Sequence, residues 1–314
     1  MRILLIGANG QLGTDLRHVL AGEVTGIDWP DLDVRDEKQV RSAVLQYRPD
    51  VVINCAAQTN VDACEEDPET AFAVNALGAM HVARAAAGVA AAVTYISTDY
   101  VFGAAGPNHP PYTETDCPGP VNAYGASKLA GEHLTRAYNP AALVVRTCGL
   151  YGHAGARGKG GNFVETMLRL AAAGKPIRVV DDQRLSPTWT GECAARIAVL
   201  VAGSATDIYH VAAPDDCTWF EFARAVFELA ELNVDLHPIA SSEYPRPARR
   251  PSMSALCSDR LERVNVPPCR PWRAMLRDYL TLRDAGRTGP LTRSADCDAA
   301  EGESARSTLG ATRR

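Results

Sequence analysis

The segment Gly7-Ala-Asn-Gly10-Gln-Leu-Gly13 constrains the fold more than any other stretch of this chain. It follows the apolar run Ile3–Ile6 directly and leads into a helical pattern over Leu12–Leu20. A strand, a glycine turn and a helix in that order make a site for an anionic ligand. Residues without side chains let backbone N–H groups approach a pyrophosphate, and the helix N-terminus favours its negative charge. We read Gly7, Gly10, Gln11, Leu12 and Gly13 as contacts to a dinucleotide cofactor; the alternative is an ordinary tight turn. The spacing is Gly-x-x-Gly-x-x-Gly, not the Gly-x-Gly-x-x-Gly of many dehydrogenases.

Apolar runs recur at Val24–Ile27, Val51–Asn54, Ala92–Ile96 and Leu143–Arg146. Helical patterns separate them at Glu37–Gln46, Pro68–Ala87 and Tyr124–Tyr138, with Asp67-Pro68 and Asn122 as helix starts. Short apolar strands alternating with helices predict an α/β fold, a doubly wound parallel sheet of the Rossmann kind, over residues 1–150. Residues 151–286 read as a smaller C-terminal α/β domain for a substrate. They hold a Gly-rich basic loop at Gly155–Gly161, a helix at Phe163–Ala173 and a helix at Trp219–Leu232 capped by Thr218. A strand at Ile177–Val180, a helix at Gly191–Val201 and a strand at Asp207–Val211 lie between, and segment 177–211 is expected to return to the first domain. Prolines forbid a helix in Tyr244-Pro-Arg-Pro-Ala-Arg-Arg-Pro251. Residues 287–314 carry no apolar period and read as a disordered tail.

Composition narrows the partners. The net charge of −5 gives no basic excess for nucleic acid, and no basic amphipathic stretch points to a membrane surface. The apolar run at the N-terminus is too short for a span, and we read it as the buried first strand of a cytoplasmic protein. Nine cysteines stand widely apart with no Cys-x-x-Cys, which argues against a disulfide framework or a zinc site; Cys55 and Cys148 read as small core residues.

Two further features carry chemistry. Asp28 ends the second strand, where a carboxylate accepts hydrogen bonds from the adenosine ribose hydroxyls. It would repel a 2′-phosphate, and no cation follows until Arg35, so on charge alone NADH should serve at least as well as NADPH. Asp33 and Val34 are placed beside the adenine, and Asp36 as a helix cap. Tyr124-Gly-Ala-Ser-Lys128 puts a phenol and an ammonium one helical turn apart on one face. An ammonium lowers the pKa of a nearby phenol, and such a pair can exchange a proton with an alkoxide or alcohol.

Together these features resemble the extended short-chain dehydrogenase/reductase family, and within it the reductases of nucleotide-linked 4-keto sugars. The stretches that carry the resemblance include Asn54-Cys-Ala-Ala-Gln-Thr-Asn-Val-Asp62, Tyr95-Ile-Ser-Thr-Asp-Tyr-Val-Phe102, Ala130-Gly-Glu132, Asn162-Phe163, Ser186-Pro-Thr188, Trp219-Phe-Glu-Phe222 and Ala248-Arg-Arg-Pro251. They run in order over residues 1 to 283. The resemblance implies a catalytic set of Thr98, Tyr124 and Lys128, and Ala57, Gln58 and Thr59 lining the cofactor. It implies NADPH or NADH as cofactor and a dTDP-sugar substrate touched by Thr98, Asp99, Asn162 and Arg250, with Arg249, Arg157 and Lys159 as weaker candidates for its diphosphate. Asp62 and Asn75 would be supporting residues. A homodimer and a bound Mg2+ are open by resemblance, although no acidic cluster specifies a metal site. One departure is plain: the family usually has a Trp where this chain has Gly149, so its pocket should be wider or filled differently. A 4-epimerase on the same fold and a non-catalytic regulatory subunit remain alternatives. A 4,6-dehydratase is disfavoured, because Asp99 is followed by Tyr100 instead of the Glu of an Asp-Glu pair.

Overall fold

Parallel strands are joined by helical segments through the first 147 residues, and their register sets up the site. The computed structural model describes residues 1–154 and 161–286; most of the Gly155–Gly161 loop, with Arg157 and Lys159, and the tail from 287 lie outside the described residues. In chain order come β1 (Arg2–Ile6), α1 (Gln11–Val19), β2 (Glu23–Ile27), α2 (Glu37–Tyr47) and β3 (Val51–Asn54). Next are α3 (Val61–Glu66), α4 (Pro68–Phe72), a π-helical turn (Ala73–Leu77), α5 (Gly78–Ala87), β4 (Ala92–Thr98), α6 (Ala123–Tyr138) and β5 (Ala142–Thr147). The second half holds β6 (Leu150–Tyr151), α7 (Phe163–Ala172), β7 (Ile177–Val180), β8 (Arg184–Leu185), β9 (Thr188–Trp189) and α8 (Thr190–Ala202). It ends with β10 (Asp207–His210), β11 (Cys217–Thr218), α9 (Trp219–Leu229), β12 (Leu236–Ile239) and α10 (Trp272–Asp284).

The central sheet has six strands in the order β10-β5-β4-β3-β1-β2, all pairs parallel. Its strands are apolar on both sides because both faces are covered. Leu4 and Ile6 pack with Val40, Val44 and Val82 of α2 and α5. Ile3 and Leu5 face the other way, toward Leu16 of α1 and Ile197 and Leu200 of α8. That second core also takes in Phe222, Met275, Leu276 and Tyr279, so α9 and α10 share it with the sheet.

Three details differ from the sequence-based expectation. The helix expected over Pro68–Ala87 is interrupted by the π-helical turn. There Asn75 is buried, its Nδ2 donating to Ser127 Oγ and to the Gln58 carbonyl at 3.0 Å each. Asp207–His210 reaches the central sheet beside β5, but Ile177–Val180 does not; it pairs in parallel with β12. The C-terminal helix α10 carried no recognised signal. The caps read from sequence are present: Asp67, Asn122 and Thr218 each accept a backbone N–H, and Thr218 with Glu221 forms a capping box. No helix among the described residues is long and apolar enough to cross a membrane.

Candidate active site

The carboxyl ends of β1, β3, β4 and β5 open onto one cleft of about 470 Å3. This is where ligands lie in open parallel sheets, because the loops there diverge to either side. Gly7, Gly10, Gln11, Leu12 and Gly13 line its near wall. A Cβ on Gly13 would come within 2.3 Å of the Gly7 carbonyl, and Gly7 itself has φ +77 with its Cβ position 2.8 Å from the Ala56 nitrogen. The turn therefore closes only on glycine and presents bare backbone at the start of α1. That cradle fits the pyrophosphate of a dinucleotide. Asp28 lines the same wall, with Oδ2 accepting the Asn9 N–H and Oδ1 the Trp29 N–H, each at 2.8 Å.

Not every expected cofactor contact reaches the cleft. Ala57 and Thr59 line it. The Gln58 backbone is instead clamped by Asn75, which accepts its N–H at 2.9 Å and donates to its carbonyl at 3.0 Å. Asp33 is held by Arg35, whose Nη2 sits 2.6 Å from Oδ2. Val34 is buried, and its side chain lies within 2.7 Å of where a Cβ on Gly78 would stand.

Thr98 is the last residue of β4, paired with Thr147 of β5. Asn122 caps α6, so Tyr124 lies in its first turn and Lys128 one turn deeper. Burial pushes the Tyr124 phenol up from its ordinary value; a hydrogen bond with Thr98, not Lys128, draws it partly back. This differs from the expectation that Lys128 lowers it. Lys128 is itself 2% exposed, and its Nζ donates to the Ile96 carbonyl at 2.6 Å and stands 4.1 Å from the Tyr95 ring centroid. Burial pushes its pKa down to about 7. The arrangement keeps a proton on Tyr124 at neutral pH, which suits an acid.

Behind these residues lies an ion pair that the sequence reading did not single out. Glu132, one turn beyond Lys128, receives two hydrogen bonds from Arg146 of β5 at 2.9 and 2.7 Å and one from Ser97 of β4 at 2.5 Å. Its i+4 spacing from Lys128 was the available signal.

The far wall comes from the second half. Gln183, Arg184, Leu185, Trp219 and Ser254 line it. Asn162 lines it too, but its side chain is spent capping α7 and donating to the Gly152 carbonyl at 2.7 Å and the Tyr279 hydroxyl at 3.1 Å. Arg250 does not line the cleft; it is ion-paired with Asp62 at 3.0 Å. Asp62 also accepts the Ala248 N–H at 3.3 Å and pairs with Arg246 at 3.4 Å, so it clasps the Pro-rich segment. Arg249 is exposed, its carbonyl tied to Asn122 at 2.8 Å. Gly149 has φ +50, and a Cβ there would sit 2.7 Å from the Leu185 Cδ1. The space is thus filled differently: Leu185 stands where a side chain at 149 would begin. Among the described residues no group of three or more His, Cys, Asp or Glu could hold a metal ion, so Mg2+ has no fitting site and no step here runs through it.

A glycine turn after the first strand of a doubly wound parallel sheet, facing a Tyr-x-x-x-Lys helix and a strand-end threonine, defines an extended short-chain dehydrogenase/reductase. Residues 1–284 match the family described as the RmlD substrate binding domain, and the chain belongs to that family. It is 42% identical over 296 residues to a dTDP-4-dehydrorhamnose reductase of Mycolicibacterium smegmatis, spanning 92% of this chain and 88% of that one. It is 37% identical over 301 residues to a "probable dTDP-4,6-dihydroxy-2-methyloxan-3-one 4-ketoreductase" of Streptomyces antibioticus, spanning 94% of this chain and all of the other. Among solved structures, a dTDP-4-dehydrorhamnose reductase from Bacillus anthracis in complex with NADP superposes with a TM-score of 0.84 at 37% identity, covering 89% of this chain and 98% of that one.

Proposed function

We propose that this chain reduces the 4-keto group of dTDP-4-dehydro-L-rhamnose to dTDP-L-rhamnose with NAD(P)H, in nucleotide-sugar synthesis for cell-surface polysaccharide. The observation that carries the chemistry is that the Tyr124 phenol, Thr98 and Lys128 share one cleft with the glycine turn. When bound, the nicotinamide supplies a hydride. The residues of this chain handle the oxygen. Tyr124 gives its proton as charge develops there, and Thr98 donates a hydrogen bond to the same atom, so the field at the oxyanion is set in advance. Lys128, fixed on the Ile96 carbonyl, is the buried amine placed to donate to the cofactor's ribose. Arg184, which lines the substrate wall and is itself ion-paired with Asp216 at 2.5 Å, is our first choice for the diphosphate, ahead of Arg250, which is paired with Asp62 and does not line the cleft. The Arg35 guanidinium is likewise met by Asp33, which supports use of NADH at least as well as NADPH.

Loss of NAD(P)H absorbance with dTDP-4-dehydro-L-rhamnose, and appearance of dTDP-L-rhamnose, tests the reading. The meeting of Gly149 and Leu185 favours one second reading, a different dTDP-linked 4-keto sugar. Turnover of another such sugar in place of dTDP-4-dehydro-L-rhamnose would establish it. Purified protein already loaded with NAD would instead point to an epimerase.

A further inference from the structure

Helix α3 is short, yet two of its carboxylates reach two different parts of the site. Its start adjoins the cofactor wall: Thr59 and Val61 line the cleft, and Asn60 between them caps the helix by accepting the Ala63 N–H. Farther along, Glu65 Oε2 accepts the Ala123 N–H at 2.9 Å, at the start of the helix that carries Tyr124. Asp62 reaches the Pro-rich segment of the second half. Its Oδ1 is 3.0 Å from Arg250 Nη2 and accepts the Ala248 N–H at 3.3 Å, across 186 positions, and its Oδ2 is 3.4 Å from Arg246 Nη1. The Arg250 and Asp62 side chains are 18% and 19% exposed, so solvent ions screen this pair less than a pair on the open surface.

What Asp62 holds is the near end of a stretch that frames the substrate wall. The Arg249 carbonyl accepts from Asn122 at 2.8 Å, and Pro251 and Ser254 line the cleft. Beyond Pro251 the backbone pairs with Arg184: the Arg184 N–H donates to the Ser252 carbonyl at 2.9 Å, and the Ser254 N–H donates to the Arg184 carbonyl at 3.0 Å. Arg184 is thus carried by the stretch that Asp62 anchors. Pro247 and Pro251 fix their own φ angles, so a shift at 248–250 passes along the chain instead of being absorbed. We propose that Asp62 is a positioning residue that sets the affinity for the sugar nucleotide, by tying the 246–254 stretch, and Arg184 with it, to the cofactor half. The inference rests on the proposed reading that the diphosphate sits at Arg184. Asp62 does not itself line the cleft, and Arg250 is its tie, not a ligand of the diphosphate.

Asp62→Asn removes the charge and keeps an acceptor for the Ala248 N–H. The Kd for dTDP, read by titration calorimetry, should rise about threefold to tenfold, while the Kd for NADH stays within about twofold. In turnover the KM for the sugar nucleotide should rise by the same factor, and kcat should fall less. Arg250→Gln should have the same effect, and it serves alone if Asp62→Asn does not fold. Because the two residues act as one tie, the double variant should bind dTDP no more weakly than the poorer single variant. Amide hydrogen exchange over residues 248–254 should quicken in Asp62→Asn, with exchange in β1 unchanged. An unmoved dTDP Kd, an unchanged exchange rate at 248–254, or a loss that extends equally to NADH overturns the proposal. Losses that multiply in the double variant overturn it too, and make Arg250 a diphosphate ligand in its own right. If wild type binds dTDP but does not reduce the keto sugar, the proposed function fails, while the two Kd values still decide the role of Asp62. If wild type does not bind dTDP, both readings fall.

Discussion

Removing the Glu132 carboxylate should cost this protein much of its stability and, with it, the alignment of the site. Glu132 and Arg146 are each 2% exposed. Glu132→Ala leaves the Arg146 guanidinium without its two charged hydrogen bonds and Ser97 without its acceptor. The contacts that remain to Arg146 are the Phe102 ring, 5.0 Å away, and His210 Nε2 at 3.4 Å, and neither carries negative charge. Breaking a buried pair by removing one partner costs about 3–5 kcal/mol, because the other charge stays uncompensated. Against a total of roughly 5–15 kcal/mol, that is a large share. The melting temperature should fall on the order of 10 °C. Urea unfolding would show a lower midpoint with an unchanged slope. Replacing both partners, Glu132→Leu with Arg146→Met, should recover more than half of the loss, since matched apolar side chains remove both desolvation penalties. Because Ser97 precedes Thr98 and Arg146 precedes its strand partner Thr147, kcat should fall in the single variant as well. A loss below about 1 kcal/mol would show that water reaches the pair and would refute the argument.

Other expectations follow from the same structure. Tyr124→Phe should lower kcat about 10²–10⁴-fold with little change in cofactor affinity, and a variant keeping most of its turnover would remove Tyr124 as the acid. Arg184→Ala should raise the KM for the sugar nucleotide above about tenfold, more than about 1.4 kcal/mol, with the NADH term unmoved; a larger effect from Arg250→Ala would reverse our ranking. His210 is buried, with Nδ1 donating to the Tyr112 and Cys257 carbonyls at 3.1 and 2.9 Å, and burial pushes its pKa down to about 4. The unfolded state, near pKa ~6.5, binds the proton first, so folding stability should drop as pH falls from about 6.5 to 4, by roughly 3 kcal/mol in all. His210→Gln should flatten that part of the profile in chemical unfolding between pH 7 and 4.5, and an unchanged slope would assign it elsewhere. Finally, kcat/KM measured with both cofactors should not favour NADPH strongly; a large preference would mean that Arg35 leaves Asp33 to meet the 2′-phosphate.

Much of the first half was legible because its signals are local. The strand before Gly7, the caps at Asp67 and Asn122, and the one-turn spacing of Tyr124 and Lys128 are each contained in a few neighbouring residues. What escaped depends on contacts between distant parts. Arg146 meets Glu132 across 14 positions, and Cys148 meets Asp99 across 49. Residue type alone did not say that Arg184 would line the cleft while Arg250 would turn to Asp62. The π-helical turn has no pattern of its own; it is held where Asn75 reaches the Gln58 backbone and Ser127. The same limit applied to Ile177–Val180, whose apolar character suits either of two sheets.

The path of β10 has a practical bearing on attempts to transplant specificity between relatives. A hybrid joined once, near residue 150, would take its nucleotide turn from one parent, but the strand beside β5 and the helix over α1 from the other. Arg146 and His210, which face each other across that seam, would then come from different ancestors. Grafting therefore needs at least two more junctions, so that the stretch from α8 through β10 travels with the first half. The loops that carry Gln183, Arg184 and Trp219 can then be exchanged by themselves.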